Sequence, residues 1–131
     1  MRHLIAAVLA VLVLVAPARA DEGIEKVISA QIEAFLADDF ETAFTFASPT
    51  IKGIFGTPER FGMMVRQGYP MVWRPSEVRF LALDQREGAL WQAVMVRDAA
   101  GALHVLDYQM VPGEDGWQIN AVTLRDTAGN V

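Results

Sequence analysis

The chain has 131 residues, with 16 acidic against 11 basic side chains, a formal net charge of −5 and no cysteine. An acidic chain is a poor partner for nucleic acid or anionic lipid, and the lack of cysteine excludes disulfides, thiol chemistry and cysteine-based metal sites. The length allows one ordinary domain with a substantial hydrophobic core.

The first 20 residues predict a cleaved secretory signal peptide. Arg2 and His3 precede an apolar run, and Ala18-Arg19-Ala20 has the small residues that a signal peptidase favours. The apolar run, about 12 residues, is too short to span a bilayer comfortably. We expect cleavage after Ala20, a single domain over residues 21–131, and a periplasmic or secreted location with no stable membrane anchor after cleavage.

Apolar residues at helical spacing predict about three helices in the first half of the mature chain. The predicted helices span about residues 22–37, 40–48 and 58–68, with one further helical turn over 50–55. Thr57 and Pro58 suit the N-cap and the first position of the last helix. Residues 69–75, which contain Pro70 and Pro75, predict an extended connector.

From residue 76 onward the pattern alternates, with turn signals at intervals of roughly 12 residues. The predicted strands span about residues 76–84, 89–98, 102–111 and 116–125. Short links between them indicate antiparallel neighbours in a meander. Helices followed by an antiparallel sheet define an α+β layer fold.

A register that separates apolar from polar residues predicts the two faces of this sheet. In that register Tyr108 lies opposite Ile119 and beside Trp91, and Met95 lies beside His104, on an apolar face that the helices cover. The outer face is then predicted to carry polar residues next to an apolar strip: Gln92, Asp107, Gln109, Gln118 and Asn120, with Val94, Val105, Val122 and Leu124. Such a face suits a homodimer contact.

The order of helices and strands resembles the cystatin-like, nuclear-transport-factor-2-like cone, in which helices cover a curved four-stranded antiparallel sheet. More closely, the run from Phe61 to Pro75, FGMMVRQGYPMVWRP, followed by Val78-Arg79-Phe80, resembles the exported bacterial family called domain of unknown function 4864. The resemblance covers about residues 24–125. It implies fold and export, and it brings no catalytic residues with it.

The candidate ligand-binding residues fall into two groups. Tyr69 and Trp73 flank Pro70 at the predicted mouth of the cone, near Arg66 and Arg74, and aromatic rings beside arginines can hold a planar or anionic ligand. The alternative is that these rings plug the open end. The second group comprises Trp91, His104 and Tyr108. These residues form either the core or, where a pocket exists, its walls.

No set of residues predicts a definite catalytic centre. His104 with Tyr108 is the candidate pair for an isomerase or dehydratase-like enzyme, and a hydrogen-bonded core histidine is the alternative. Ketosteroid-isomerase-like sites need an inward-facing acid, whereas Asp107 is predicted to point away from Tyr108. A single histidine in the mature chain makes a poor metal site, so we expect neither metal nor cofactor.

The sequence thus favours an exported binding domain over an enzyme. We expect it to hold a small apolar or weakly anionic ligand, or a protein partner, without catalysis. An isomerase or dehydratase using His104 and Tyr108 and a homodimeric module using the outer sheet face are the alternatives.

Overall fold

The computed structural model describes residues 17–125 as five helices followed by four strands. The helices are α1 (Pro17–Leu36), α2 (Phe40–Thr45), α3 (Pro49–Phe55), α4 (Pro58–Gly68) and α5 (Pro70–Trp73). The strands are β1 (Glu77–Arg86), β2 (Ala89–Arg97), β3 (Leu103–Gly113) and β4 (Gly116–Leu124). The predicted signal peptide lies outside the described residues, except for residues 17–20 at the start of α1.

All four strands form one antiparallel sheet in the order β1-β2-β3-β4, so the predicted meander and the α+β fold are confirmed. The link between β1 and β2 contains Glu87 and Gly88, which have positive φ angles of 51° and 79°. Two consecutive positive φ angles match the twist of a tight hairpin, and glycine adopts the second without steric cost.

Short polar side chains fix the starts of the middle helices. Asp39 accepts a hydrogen bond from the backbone N–H of Thr42, and Thr57 accepts one from that of Arg60. Each satisfies an N–H that the first helical turn leaves without a partner. Residues 70–73 form α5 rather than the predicted extended connector, because Pro70 occupies the first helical position, where its missing N–H costs nothing.

The predicted register was wrong in both later hairpins. Gln92, not Trp91, lies opposite Tyr108, and His104 pairs with Val96 instead of Met95. This shift of one residue moves Trp91 and Met95 to the outer face of the sheet and brings Gln92, Val94 and Val96 inward.

On β4, Ile119 lies opposite Met110 rather than Tyr108, which faces Val122. The register shifts between Gln109 and Met110, which marks a β-bulge, and a second shift interrupts β1 between Phe80 and Leu83. An inserted residue exchanges the two faces of the strand beyond it, so no single alternation could have predicted both halves of these strands.

The core lies between the helices and the inner sheet face. α1 contributes Ile24, Ile28, Ile32 and Phe35, all buried as their spacing predicts, whereas Leu36 is half exposed. Phe61 packs its ring against Phe35, Phe44 and Phe55 at centroid distances of 5.2–5.9 Å. The sheet contributes Val94, Val96, Leu106, Tyr108, Met110 and Ile119.

The segment between α2 and α3 forms backbone hydrogen bonds with the edge of β4 that no other strand of the described sheet covers. Ala47 forms a parallel bridge with Ile119, whose N–H donates to Phe46 O at 2.8 Å and whose carbonyl accepts from Ser48 N–H at 2.9 Å. The Ser48 hydroxyl also donates to Asn120 Oδ1. This attachment holds the start of α3 against the sheet, at one side of the cavity described next.

Candidate functional site

A cavity of about 430 Å³ lies between the helices and the inner face of the sheet; we call it the helix–sheet cavity. Its apolar lining consists of Phe35, Ala47, Ile51, Phe55, Phe61, Met64, Val65, Val72, Ile119, Ala121 and Val122. The remaining lining residues are Gln31, Tyr69 and Tyr108, so no charged side chain among the described residues lines it. An apolar chamber with a few polar groups is typical of small-molecule sites.

Two of the predicted ligand residues, Tyr69 and Tyr108, meet at this cavity. The Tyr69 hydroxyl donates to Val122 O at 3.2 Å, and Val122 is the cross-strand neighbour of Tyr108. The Tyr108 side chain is fully buried, and its hydroxyl has no hydrogen-bond partner among the described residues. Burial, with a smaller effect of Tyr69, raises the pKa of Tyr108 well above its ordinary value, so this hydroxyl stays protonated and can donate.

Gln31 is a cavity residue that the sequence interpretation missed. It is 3% exposed, and its Nε2 donates to Ala43 O at 3.2 Å, which joins α1 to α2. The sequence did contain a signal. Successive residues of the buried stripe of α1 are four, three and four positions apart: Ile24, Ile28, Gln31 and Phe35. A glutamine on such a stripe indicates a polar group inside the fold.

The other aromatic and arginine candidates form a separate cluster outside the helix–sheet cavity. Arg74 Nη2 donates to both carboxylate oxygens of Asp38, at 2.9 and 3.0 Å, and its Nη1 donates to Phe35 O at 2.9 Å. Trp73 Nε1 donates to the same carboxylate at 2.9 Å. These hydrogen bonds from Trp73 and Arg74 hold the pKa of Asp38 below its usual value.

This cluster, Asp38 with Trp73 and Arg74, has a structural role that accounts for its polar atoms. Asp38 follows the end of α1 with a positive φ of 56°, a backbone conformation that residues other than glycine seldom adopt. Arg74 also stacks on Trp73, with Cζ 4.2 Å from the ring centroid. The arginine therefore clamps the C-terminal end of α1 to α5 and is engaged by the protein itself.

Arg66 lies beside this cluster and faces acidic neighbours. Its Cζ is 5.2 Å from the centroid of Phe40 and 5.9 Å from that of Trp73, so the cation lies near two aromatic rings. A shallow surface depression next to it is lined by Asp38, Asp39, Glu41 and Glu59. Four acidic residues and one arginine among the lining residues give this depression a net negative charge, which disfavours an anionic ligand.

His104, near the start of β3, contacts the Asp98 turn and does not line the cavity. Its Nε2 lies 2.8 Å from Asp98 Oδ2, and Asp98 also accepts the backbone N–H groups of Ala100 and Ala102. His104 and Tyr108 are four residues apart on β3, about 13 Å along an extended strand. The structure therefore does not bring together the pair on which the predicted isomerase or dehydratase alternative rests.

The outer sheet face differs in membership from the predicted one. Trp91 lies there beneath Arg86, whose Cζ is 5.0 Å from the ring centroid, whereas Gln92 and Val94 point inward. Asp107 lies on this face as predicted, and Arg125 donates to its carboxylate at 2.7 and 3.2 Å. Homodimer formation through this face stays a prediction.

Within residues 17–125, no helix is long and apolar enough to cross a membrane. No group of three or more histidine, cysteine, aspartate or glutamate side chains there is arranged to hold a metal ion.

Fold and site together define a small α+β domain in which helices and a curved antiparallel meander enclose an apolar chamber, consistent with the cystatin-like, nuclear-transport-factor-2-like superfamily. The sequence model of the family described as "Domain of unknown function (DUF4864)" matches residues 17–131. The chain belongs to this family, as its resemblance over residues 61–80 predicts. A search of curated proteins gives no match.

Proposed function

We propose that this domain binds a small, uncharged, predominantly apolar molecule in the helix–sheet cavity and releases it unchanged. The observation that carries the proposal is the chamber itself, about 430 Å³, whose described lining is apolar apart from one glutamine and two tyrosines. Burying a small apolar ligand against such walls yields roughly 25 cal/mol for each Å² of apolar surface removed from water. A cavity of this size accommodates a molecule of that class.

The ligand's charge follows from where the cations lie. Arg74 is bound to Asp38, and Arg66 faces carboxylates outside the chamber. A negatively charged group inside the chamber would lose its hydration without gaining a cation, which is costly. We therefore favour the apolar ligand over the weakly anionic one that the sequence also suggested.

The test uses two fluorescent probes that differ chiefly in charge. N-phenyl-1-naphthylamine is neutral, and 1-anilinonaphthalene-8-sulfonate carries a sulfonate; both brighten in apolar surroundings. We expect the neutral probe to bind with one-to-one stoichiometry and more tightly than the sulfonate. Equal or tighter binding of the sulfonate would contradict the uncharged-ligand proposal, and no saturable binding of either probe would contradict the binding site.

Two matched variants locate the probe. Ala121 is half-buried and lines the chamber, so Ala121→Phe should fill space and weaken binding of N-phenyl-1-naphthylamine at least tenfold. Ala82 is exposed on β1, outside the lining, so Ala82→Phe adds the same ring without blocking the chamber. Circular dichroism checks that both variants fold. Equal weakening by the two substitutions would place the probe elsewhere.

We further propose that the domain acts outside the cytoplasmic membrane, on the strength of its N-terminal sequence. Arg2, the following apolar run and Ala18-Arg19-Ala20 have the order of a signal peptide. Intact-mass measurement on protein purified from its host should give a chain beginning at Asp21. A chain that retains residues 1–20 would contradict export by cleavage.

A further inference from the structure

The Tyr108 hydroxyl indicates a chemical feature of the molecule that the cavity binds. It is the one buried side-chain nitrogen or oxygen without a partner among the described residues, and it belongs to a residue that lines the helix–sheet cavity. Phenylalanine would give the same apolar packing at this position. Core packing therefore does not explain why the residue carries a hydroxyl group. A polar atom of a bound molecule supplies one.

Neighbouring groups define what that polar atom can be. The Tyr69 hydroxyl already donates to Val122 O, and Gln31 Nε2 uses one of its two N–H groups on Ala43 O, so Tyr108 carries the buried hydroxyl of the described lining that has no partner at all. Because no described cation lines the chamber, a carboxylate or phosphate would be desolvated without compensation. A neutral acceptor, such as a ketone, ester or ether oxygen, meets both conditions.

We infer that the ligand of this cavity is a neutral, largely hydrocarbon molecule with an oxygen acceptor that takes a hydrogen bond from Tyr108. This inference rests on the proposed function and adds a specificity residue to it. The Tyr108 side chain has no solvent-accessible surface in the unliganded fold, so a small displacement of the cavity wall accompanies the contact. Tyr108 would thereby select oxygenated molecules over plain hydrocarbons of the same shape.

The experiment compares 2-acetylnaphthalene with 2-ethylnaphthalene, which differ mainly by a carbonyl in place of a methylene group. Dissociation constants for both are measured by NMR titration of the wild-type protein, Tyr108→Phe and Tyr69→Phe. Tyr108→Phe should weaken the ketone roughly two- to tenfold, the range of one net hydrogen bond, and leave the hydrocarbon unchanged or tighter. Tyr69→Phe, which removes a hydroxyl whose hydrogen is already used, should leave the ratio of the two constants as in wild type.

The possible outcomes distinguish a failure of this inference from a failure of the proposed function. If both compounds bind but Tyr108→Phe changes their affinities equally, the acceptor inference is overturned and the binding function stands. If neither compound binds, the proposed function fails and the inference with it. Should Tyr108→Phe not fold, the carbonyl carbon of 13C-labelled 2-acetylnaphthalene gives the answer in wild type: a downfield shift from its value in hexane supports the hydrogen bond, and an unshifted signal overturns it.

Discussion

Tyr69 and Tyr108 line the same chamber but differ in how their hydroxyl groups are satisfied. The Tyr69 hydroxyl donates to Val122 O at 3.2 Å, whereas that of Tyr108 is buried without a partner among the described residues. An unpaired buried hydroxyl costs about 1–3 kcal/mol, while a paired one contributes about 1 kcal/mol. The same chemical change at the two positions should therefore have opposite effects on folding.

Replacing each tyrosine by phenylalanine tests this difference in the unliganded protein. Tyr108→Phe should raise the free energy of unfolding by about 1 kcal/mol because it removes an unsatisfied donor, and Tyr69→Phe should lower it by about 1 kcal/mol because it leaves Val122 O unpaired. Urea denaturation followed by circular dichroism measures both. A loss of stability in Tyr108→Phe would mean that its hydroxyl has a partner in the free protein.

Two helical glycines provide a matched pair for packing. A Cβ atom at Gly62 would lie 2.7 Å from Phe40 Cδ1, so Gly62→Ala should cost about 1–3 kcal/mol as the ring is displaced. At Gly53 in α3 nothing lies within 4 Å of the added carbon, and Gly53→Ala should gain about 0.5–1 kcal/mol through helix propensity. Thermal and urea unfolding of both variants should show opposite signs; a stabilising Gly62→Ala would refute the close contact.

The Asp98 turn predicts an acid-dependent loss of stability. His104, the largest contributor, and the N–H groups of Ala102 and Ala100 hold the pKa of Asp98 below its ordinary 3.8. A folded-state pKa below the unfolded one means that the stabilisation is complete above about pH 4 and is lost as pH falls through the lower folded value.

The comparison of wild type with Asp98→Asn isolates this contribution. The variant should have the lower urea midpoint at pH 6, and the gap between the two proteins should narrow as pH falls from 5 towards 2. A gap that stays constant over this range would show that Asp98 does not titrate differently in the folded and unfolded states.

The clamp formed by Arg74 predicts that lysine is a poor substitute. Arg74 makes two bonds to Asp38 and one to Phe35 O while stacking on Trp73, a combination that requires a planar guanidinium. Arg74→Lys should lower the melting temperature by about 2–5 °C. Arg66→Lys, which alters only ring contacts among the described interactions, should lower it less. Equal effects would show that the hydrogen bonds of Arg74 add nothing.

The sequence predicted element types well because each left a local signature. Thr57 and Pro58 marked the start of a helix, and Ile24, Ile28 and Phe35 marked the buried side of α1. Register was harder, since it depends on bulges that leave no clear alternation of their own. Buried Gln92 illustrates the difficulty: its Nε2 donates to Leu81 O and Ala93 O, and those tertiary partners make a glutamine acceptable on the inner face.

The candidate site was predictable only in part for the same reason. Tyr69 and Tyr108 reach the chamber, whereas Trp73 and Arg74 bond to Asp38 at the end of α1, a carboxylate that composition alone could not locate. His104 lies on β3 and bonds to Asp98, six residues earlier, instead of reaching the chamber.

The two edge strands of the sheet, β1 and β4, affect whether a strand from another chain can add to it. Along β4, Phe46 and Ser48 occupy the backbone groups of Ile119, and along β1 the bulge between Phe80 and Leu83 interrupts the regular array of donors and acceptors. An added strand from another chain needs an unbroken, unpaired edge. Backbone geometry at these two positions therefore disfavours the addition of a strand from another chain.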